Sequence, residues 1–572
     1  MVYAAVIAAL VTVVSSWVLW QIYQVYLQSL QLSPIPGPPA APGWLNAVLG
    51  NLSDLSDNQY HRTTTRWSEK YGAVCRLRFL NKHVILIADP VIACEMLKDK
   101  SMDKSTKAYA TMNALFDDKG HSGLLTSQMT PRWRAVRKAV ASALSPQTLR
   151  ASFPKLRTVA QRLVEKVRLH GPDRPVDMDL LCAQLSWDII GIVGFDTDMG
   201  ATKETGHHAS SGTIATVRAG MQEIEQRWGQ PYRAELWKYL LPAARKGERD
   251  LKAVHVIIRD LLTKLRKVDP ESLGNTIAGQ LLRLKDPQTG QLMSDDVLMP
   301  EIGTMFLAGF ETSGHTEAWA LYLISQHPEV EERILQELAE HQLMPAKDGS
   351  LRDMQYEDLG RLTYLNAVIK ETLRMYPAGP STDRLAHRDM QVGGYFIPKG
   401  AIFWISLYTM QNLPSIHDDP AAFKPERWFD PDYLFLRTAS DRVSSHVSHS
   451  GQAKPHSTAG DSSHKLRSDS EQSADDSWVD VGKQTQAAAE VKEPLNQPKR
   501  WFPFSEGPRS CVGQTLANMN VTGTLATLLA HYHFRLADQM GGSKGVQESE
   551  SVAITLAPSK GLFMHAESRL VM

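Results

Sequence analysis

The residues best placed to do chemistry lie near the end of the chain, in Phe504-Ser505-Glu506-Gly507-Pro508-Arg509-Ser510-Cys511-Val512-Gly513. A cysteine sulfur acts as a nucleophile or metal ligand in its thiolate form. Gly507 and Gly513 permit a tight loop whose backbone can come close to a flat ligand. Residues 514–529 read as a helix, so Cys511 enters at the positive end of its dipole, which favours the thiolate. A lone cysteine is more often a small buried hydrophobe. Several fixed residue types at set spacings around Cys511 lift it above that reading.

Four further groupings carry chemical potential. Glu371-Thr372-Leu373-Arg374 places a carboxylate and a guanidinium at i,i+3 on one helical face, most often a surface ion pair. Ala308-Gly309-Phe310-Glu311-Thr312 sits inside the apolar run 302–324. An acid beside an alcohol is costly there unless used. The bland reading is a solvent-facing Glu311 and a Thr312 bonded back to its own turn; the sharper one is proton delivery by general acid catalysis. Pro300 marks the expected start of this helix. Thr130-Pro131-Arg132-Trp133 has the form of a helix start, cap then first position, with Trp133 and Arg137 on one face. Arg384 follows Pro377 and Pro380, and Arg388 is its nearby rival.

The Cys511 segment resembles the haem-binding loop of cytochromes P450, FxxGxRxCxG, at every fixed position. That resemblance implies Cys511 as the axial ligand of a haem iron, Arg509 on a propionate, and Phe504 packed beside the sulfur. It extends to Glu371 and Arg374, to Phe423-Lys424-Pro425-Glu426-Arg427-Trp428, and to Ala308–Thr312. In the family these supply a buried supporting network of Glu371, Arg374 and Arg427, and a proton relay of Glu311 and Thr312. Trp428 stands where the family has Phe. Trp133 and Arg137 resemble the WxxxR pair that reaches a propionate, and Arg384 matches a further propionate partner. The resemblance covers the chain from about Trp44 to the C-terminus, apart from one insertion.

These residues need a scaffold. The 62 basic and 62 acidic residues cancel, which leaves no electrostatic footprint for nucleic acid. The four cysteines are too few and scattered for a disulfide framework. Most of the chain shows helical periodicity. Strand-like alternation is confined to residues 74–88, a hairpin turning near Asn81-Lys82, and to 392–407. No charged residue precedes Asp54, and the first 27 residues are mostly apolar with Trp17, Trp20, Tyr23 and Tyr26 near their end. That pattern fits a spanning helix with an aromatic belt. We therefore expect a membrane anchor at 1–32, a stiff Pro-rich connector at 33–43, and a catalytic domain at 44–572. An insertion at about 438–498 is too polar to pack and is expected to be disordered; its two ends must lie close together.

The expected fold is mainly α with minor β: the P450 fold, helix-rich around haem with a small sheet region, preceded by one N-terminal transmembrane helix. The resemblance implies a monooxygenase carrying haem b (iron protoporphyrin IX), which uses dioxygen to hydroxylate an apolar small molecule. Electrons would come from NADPH–cytochrome P450 reductase, since these residues leave no room for a fused reductase. The N-terminal segment resembles endoplasmic-reticulum anchors, with the catalytic domain on the cytosolic side. The alternatives are a peroxide isomerase or dehydratase on the same fold, and a non-catalytic haem sensor or scaffold. Phe116, Leu124, Leu125, Trp228 and Tyr232 are expected in the substrate wall.

Overall fold

The computed structural model describes residues 12–13, 15–17, 19–20, 23, 26–40, 49–55, 58–80, 82–203, 210–230, 233, 240–346, 350–430, 433–434 and 499–569. The helices that position the site are, in chain order, α1 (Pro131–Ala143), α2 (Pro146–His170), α3 (Met178–Phe195), α4 (Ser210–Gly229), α5 (Pro242–Leu265), α6 (Asp295–Ser325), α7 (Thr363–Met375) and α8 (Gln514–His531).

The 31-residue α6 is the axis of the molecule. It is buried on nearly every side, the pattern of a helix inside a core rather than on its surface. α3 is its most extensive neighbour, and α5, α7 and α8 pack around it. The exceptions on α6 are informative: Ala308 is exposed, and Gly309 and Thr312 are partly so. α6 begins at Asp295 with Asp295 and Asp296 in its first turn, where carboxylates favour the positive helix end. Pro300 therefore lies inside the helix and does not mark its start. A proline so near the N-terminus forfeits a single intrahelical bond, which its apolar packing outweighs.

α1 starts as the sequence suggests. Thr130 adopts an extended conformation and its side chain accepts from Trp133 N at 3.2 Å, with Pro131 in the first turn. The side chain of Asp177 caps α3 in the same way.

A four-stranded sheet has the order β1 (Val74–Phe79), β2 (Lys82–Ile87), β7 (Ile402–Ser406), β4 (Ser381–Leu385). β1 and β2 pair antiparallel, Val74 opposite Ile87 and Phe79 opposite Lys82, as the alternation implies. β2 and β7 are parallel, and β4 returns antiparallel to β7. Between these, β5 (Met390–Val392) and β6 (Tyr395–Ile397) form a hairpin. Near the C-terminus, β3 (Val176–Asp177), β11 (Phe563–Ser568) and β8 (Tyr532–Leu536) make a three-stranded sheet, beside a hairpin of β9 (Glu550–Ala553) and β10 (Thr555–Pro558). The mainly α, minor β architecture is as expected.

Most of the proposed anchor 1–32 lies outside the described residues. Among those described, the helix long and apolar enough to cross a membrane is α3, and it is a core helix. The connector is docked, not free. Pro36 O accepts from Arg76 N of β1 at 2.8 Å, Arg76 Nη1 donates to Ser29 O at 3.2 Å, and Leu32 and Ile35 are buried. The insertion at 438–498 also lies outside the described residues. Its flanks meet: Arg500 N donates to Leu434 O at 3.0 Å.

Candidate functional site

The Cys511 loop is shaped by backbone contacts. Gly507 has φ +70°, and a Cβ there would lie 2.3 Å from Leu97 O, so only glycine fits. Cys511 N donates to Phe504 O at 2.8 Å, and Ser510 N to Gly507 O at 2.9 Å. Gly513 is the N-cap of α8, which puts Cys511 just ahead of the helix. Phe504 packs against the main core. Cys75, Cys94 and Cys182 are buried, whereas Cys511 is exposed. Its sulfur is accessible yet hemmed in by protein. That partial burial pushes the thiol up, while Gly513 N–H and Arg137 pull it down.

Beside this loop is a cluster of buried cations. Arg509 stacks over Trp133, its guanidinium 4.6 Å from the ring centroid. It donates from Nη2 to Asp103 at 2.7 Å and to Ser127 O, and from Nη1 to Leu124 O at 3.4 Å. Its buried Nε has no partner. Arg384 of β4 is 1% exposed. Its Nη1 donates to Asp383 O at 2.7 Å, and its buried Nη2 has no partner. Arg388 is exposed. Lys104 is buried alongside; burial first, then Arg509 and Arg384, push its ammonium down to about 7 against the pull of Asp383. Burial pushes Asp383 up to about 6, with Lys104 opposing. Three buried cationic side chains thus face two carboxylates, with two donors unmet. Trp133 Nε1 donates to Leu124 O at 2.9 Å. Arg137 donates to Ser510 O at 2.9 Å and Ser510 Oγ at 3.1 Å, so it braces the Cys511 loop.

Glu311 and Thr312 point into different surroundings. Thr312 Oγ1 donates to Ala308 O at 2.6 Å, within the accessible stretch of α6. Glu311 is 1% exposed and is held by Arg218 Nε at 2.9 Å and His315 Nε2 at 3.0 Å. Arg218 also pairs with Asp179 at 2.9 Å, and Thr555 lies 3.2 Å from His315 Nδ1. Burial would raise the Glu311 carboxyl, but Arg218 and His315 overcome it and hold it at about 2. His315 is raised; burial opposes this, but Glu311 and Asp179 prevail. The acid and the alcohol are adjacent in sequence without being bonded to each other. His315 was legible one turn after Glu311. Arg218 and Asp179 come from α4 and α3, and no spacing marks them.

Glu371 and Arg374 of α7 are both fully buried and bonded through both carboxylate oxygens, at 2.9 and 3.0 Å. Arg427 Nε reaches Glu371 at 3.2 Å, and Lys424 N reaches it at 3.0 Å. Trp428 Nε1 donates to Glu371 Oε2 at 3.1 Å. The Trp428 departure from the family pattern thus adds a hydrogen bond that a phenylalanine could not make.

Fold and site together define a mainly helical enzyme around an accessible thiol on a glycine loop, flanked by unmet guanidinium donors. The sequence profile of cytochrome P450 matches residues 36–444 and 488–563. The chain belongs to the cytochrome P450 family. It is similar to Cytochrome P450 97B2, chloroplastic, of Glycine max: 25% identical, covering 92% of this chain and 86% of that one. It is 24% identical to the Arabidopsis thaliana Carotene epsilon-monooxygenase, chloroplastic, over 92% of this chain and 85% of that one. A Bifunctional cytochrome P450/NADPH--P450 reductase of Fusarium oxysporum is 26% identical over 88% of this chain and 40% of the relative. These relatives make the chain a monooxygenase enzyme, against the isomerase and sensor alternatives. The two plant relatives are chloroplastic by name, which overturns the endoplasmic-reticulum expectation. An anchor's apolarity does not encode which membrane it enters.

The family implies haem. The residues present fit it: an accessible thiol supplies a soft ligand for iron, and unmet donors on Arg384 and Arg509 suit two carboxylates at the rim.

Proposed function

We propose that this protein binds haem b and hydroxylates an apolar small molecule with dioxygen, using electrons passed from NADPH by a separate flavoprotein reductase. The observation that carries this is the pairing of accessible Cys511 with buried, unpartnered nitrogens on Arg384 and Arg509. Buried donors without acceptors cost about 1–3 kcal/mol each, and two close together, one of them on the Cys511 loop, suit an anionic ligand edge.

In this reading Cys511 is the iron ligand, and Gly507 and Gly513 keep its loop tight. Arg384 and Arg509 hold the propionates, while Arg137 and Trp133 brace the loops around them. Phe504 shields the sulfur. Haem, when bound, would supply oxygen activation, with the Cys511 thiolate as the electron-donating ligand that suits it to that chemistry. The proton end belongs to α6. The Thr312 hydroxyl sits in its accessible stretch. Glu311 at about 2 is a carboxylate at working pH, so it passes protons on instead of storing them. His315, 3.0 Å away, is the group that holds one. Glu371, Arg374 and Arg427 support the architecture. Residues 1–32 act as a membrane anchor, here of a plastid membrane, as the chloroplastic relatives support. The carotene named for one relative supports an apolar substrate class.

The test is the reduced carbon monoxide spectrum, followed by oxygen consumption with NADPH and reductase. We expect a thiolate-type spectrum in the wild type and its loss in Cys511→Ala, with oxygen consumption falling to background. A thiolate-type spectrum that survives in Cys511→Ala sinks the assignment.

A further inference from the structure

A cavity lies on the side of α6 turned away from Thr312. It is about 220 Å³, open at one side and walled by α4, α5 and α6 with Trp187 of α3. Phe306 and Phe310 form its α6 wall. At 3.6 residues per turn, Phe306 and Phe310 point roughly 160° away from Ala308. The cavity is therefore not part of the site built around Cys511, Ala308 and Thr312.

Its floor is fixed. Trp187 packs on Phe306 and Phe310 with ring centroids 5.0 and 4.9 Å away, and Phe195 stacks on Phe306 at 4.5 Å. A Cβ on Gly303 would come within 2.7 Å of Phe116 and 2.8 Å of Ile258, so the wall there closes tightly. Val217 of α4 and Leu261 of α5 supply apolar surface opposite. The titratable lining groups are Asp260 and Lys264. Both are exposed, so they sit at the mouth, and their opposite charges favour neither an anion nor a cation inside. The sequence expects Phe116 in the substrate wall. The structure places it in the wall of this cavity.

We propose that this cavity binds one compact, neutral, apolar molecule about the size of a substituted benzene ring, as a site separate from the reaction centre. A dry apolar cavity of about 150 Å³ already takes benzene, and drug-sized ligands need roughly 300 Å³ or more, so the volume selects the class between. The occupant would press on Phe306 and Phe310, within two turns of Thr312 on the same rigid helix. Differential contact of this kind lets one site bias another.

The test uses the haem-loaded full chain and bromobenzene. Soaked crystals are expected to show an anomalous bromine peak between Phe306 and Leu261, and bromobenzene is expected to raise the thermal midpoint in solution. Leu261→Trp, which fills the space, should abolish the peak and weaken the solution binding at least about tenfold, or 1.4 kcal/mol. Should that variant fold poorly, Val217→Phe makes the same test. No peak in this cavity, a peak without stabilisation in solution, or unchanged binding in the filled variant overturns the proposal. The bromine position is read independently of iron, so this outcome and that of the Cys511 test remain distinct.

Discussion

Arg374 and Arg384 stand ten residues apart in the chain, and both are buried to within 1% of completely. Arg374 spends every arm of its guanidinium: on both oxygens of Glu371, on Gln411 O at 3.0 Å and on Ala422 O at 3.3 Å. Glu371 in turn takes five hydrogen bonds from four residues in two segments, Arg374 on its own helix and Lys424, Arg427 and Trp428 together. Arg384 has the Asp383 carbonyl and, at 3.4 Å, the Thr382 hydroxyl for Nη1 and nothing for Nη2, with Lys104 and Arg509 adding like charge beside it. Folding alone accounts for the first arrangement, because a closed network tolerates burial. It does not account for the second, since an unmet buried donor is a standing cost. On the proposed function, the difference separates residues that hold the architecture from residues that would hold haem.

The same substitution at both positions breaks or upholds that distinction. Arg374→Met leaves Glu371 as a buried charge short of its main partner and should cost about 3–5 kcal/mol, read as a lower denaturant midpoint. Arg384→Met removes an unmet donor and relieves repulsion on Lys104. In haem-free protein it should change stability by less than about 1 kcal/mol, because an apolar isostere replaces a poorly paired charge. Its effect should appear as weaker haem retention after gel filtration. Equal destabilisation by both variants, with normal haem content in Arg384→Met, would remove the ground for calling the second cluster a ligand cradle.

Two carboxyls of α6 sharpen the same contrast through pH. Glu311 has Arg218 and His315 and is held at about 2. Glu301 accepts only Leu124 N, at 2.8 Å. Burial pushes it to about 8, and the Leu124 amide and Arg132 offset little of that. The folded protein therefore keeps the Glu301 proton where the unfolded chain has lost it. Stability from this group is complete below about 4.5 and is lost as pH rises towards 8. In that window its contribution falls by up to about 1.4 kcal/mol per pH unit. Glu301→Gln should flatten the decline of the denaturation midpoint between pH 5 and 8. An unaltered slope would mean that Glu301 is already ionised in the fold. Glu311 has the opposite sign: its contribution is present above about 4.5 and lost only as pH falls towards 2.

What could be read from sequence divides along the same line. Local patterns were legible. The α1 start at Thr130-Pro131, the β1–β2 hairpin and the α7 ion pair each depend on residues within a few positions of one another. The Glu311 surroundings were not, because Arg218 reaches it from another helix, Asp179 on a third pairs with Arg218, and His315 shares its own helix face. The α6 boundary was misjudged at Pro300 because buried packing overrides a breaker near a helix start. The role of Lys104 was invisible, since a lysine before a polar loop looks solvated until Arg384 and Arg509 converge on it.

Trp428 gives the finest test of the closed network. It stands where the family pattern has phenylalanine, yet its indole joins the network, donating to Glu371 at 3.1 Å, and its ring packs on Trp501 and Tyr433 with centroids 5.0 and 5.2 Å away. Trp428→Phe keeps an aromatic face for that packing and deletes one donor. Glu371 Oε2 retains Arg374 Nε at 3.0 Å, so no acceptor is orphaned. The cost should be about 1 kcal/mol, the net worth of one hydrogen bond, with oxygen consumption and haem content unchanged. A loss as large as that of Arg374→Met would mean that the indole, and not the arginine, closes this network. The line drawn between the two clusters would then have to be redrawn around the aromatic residues.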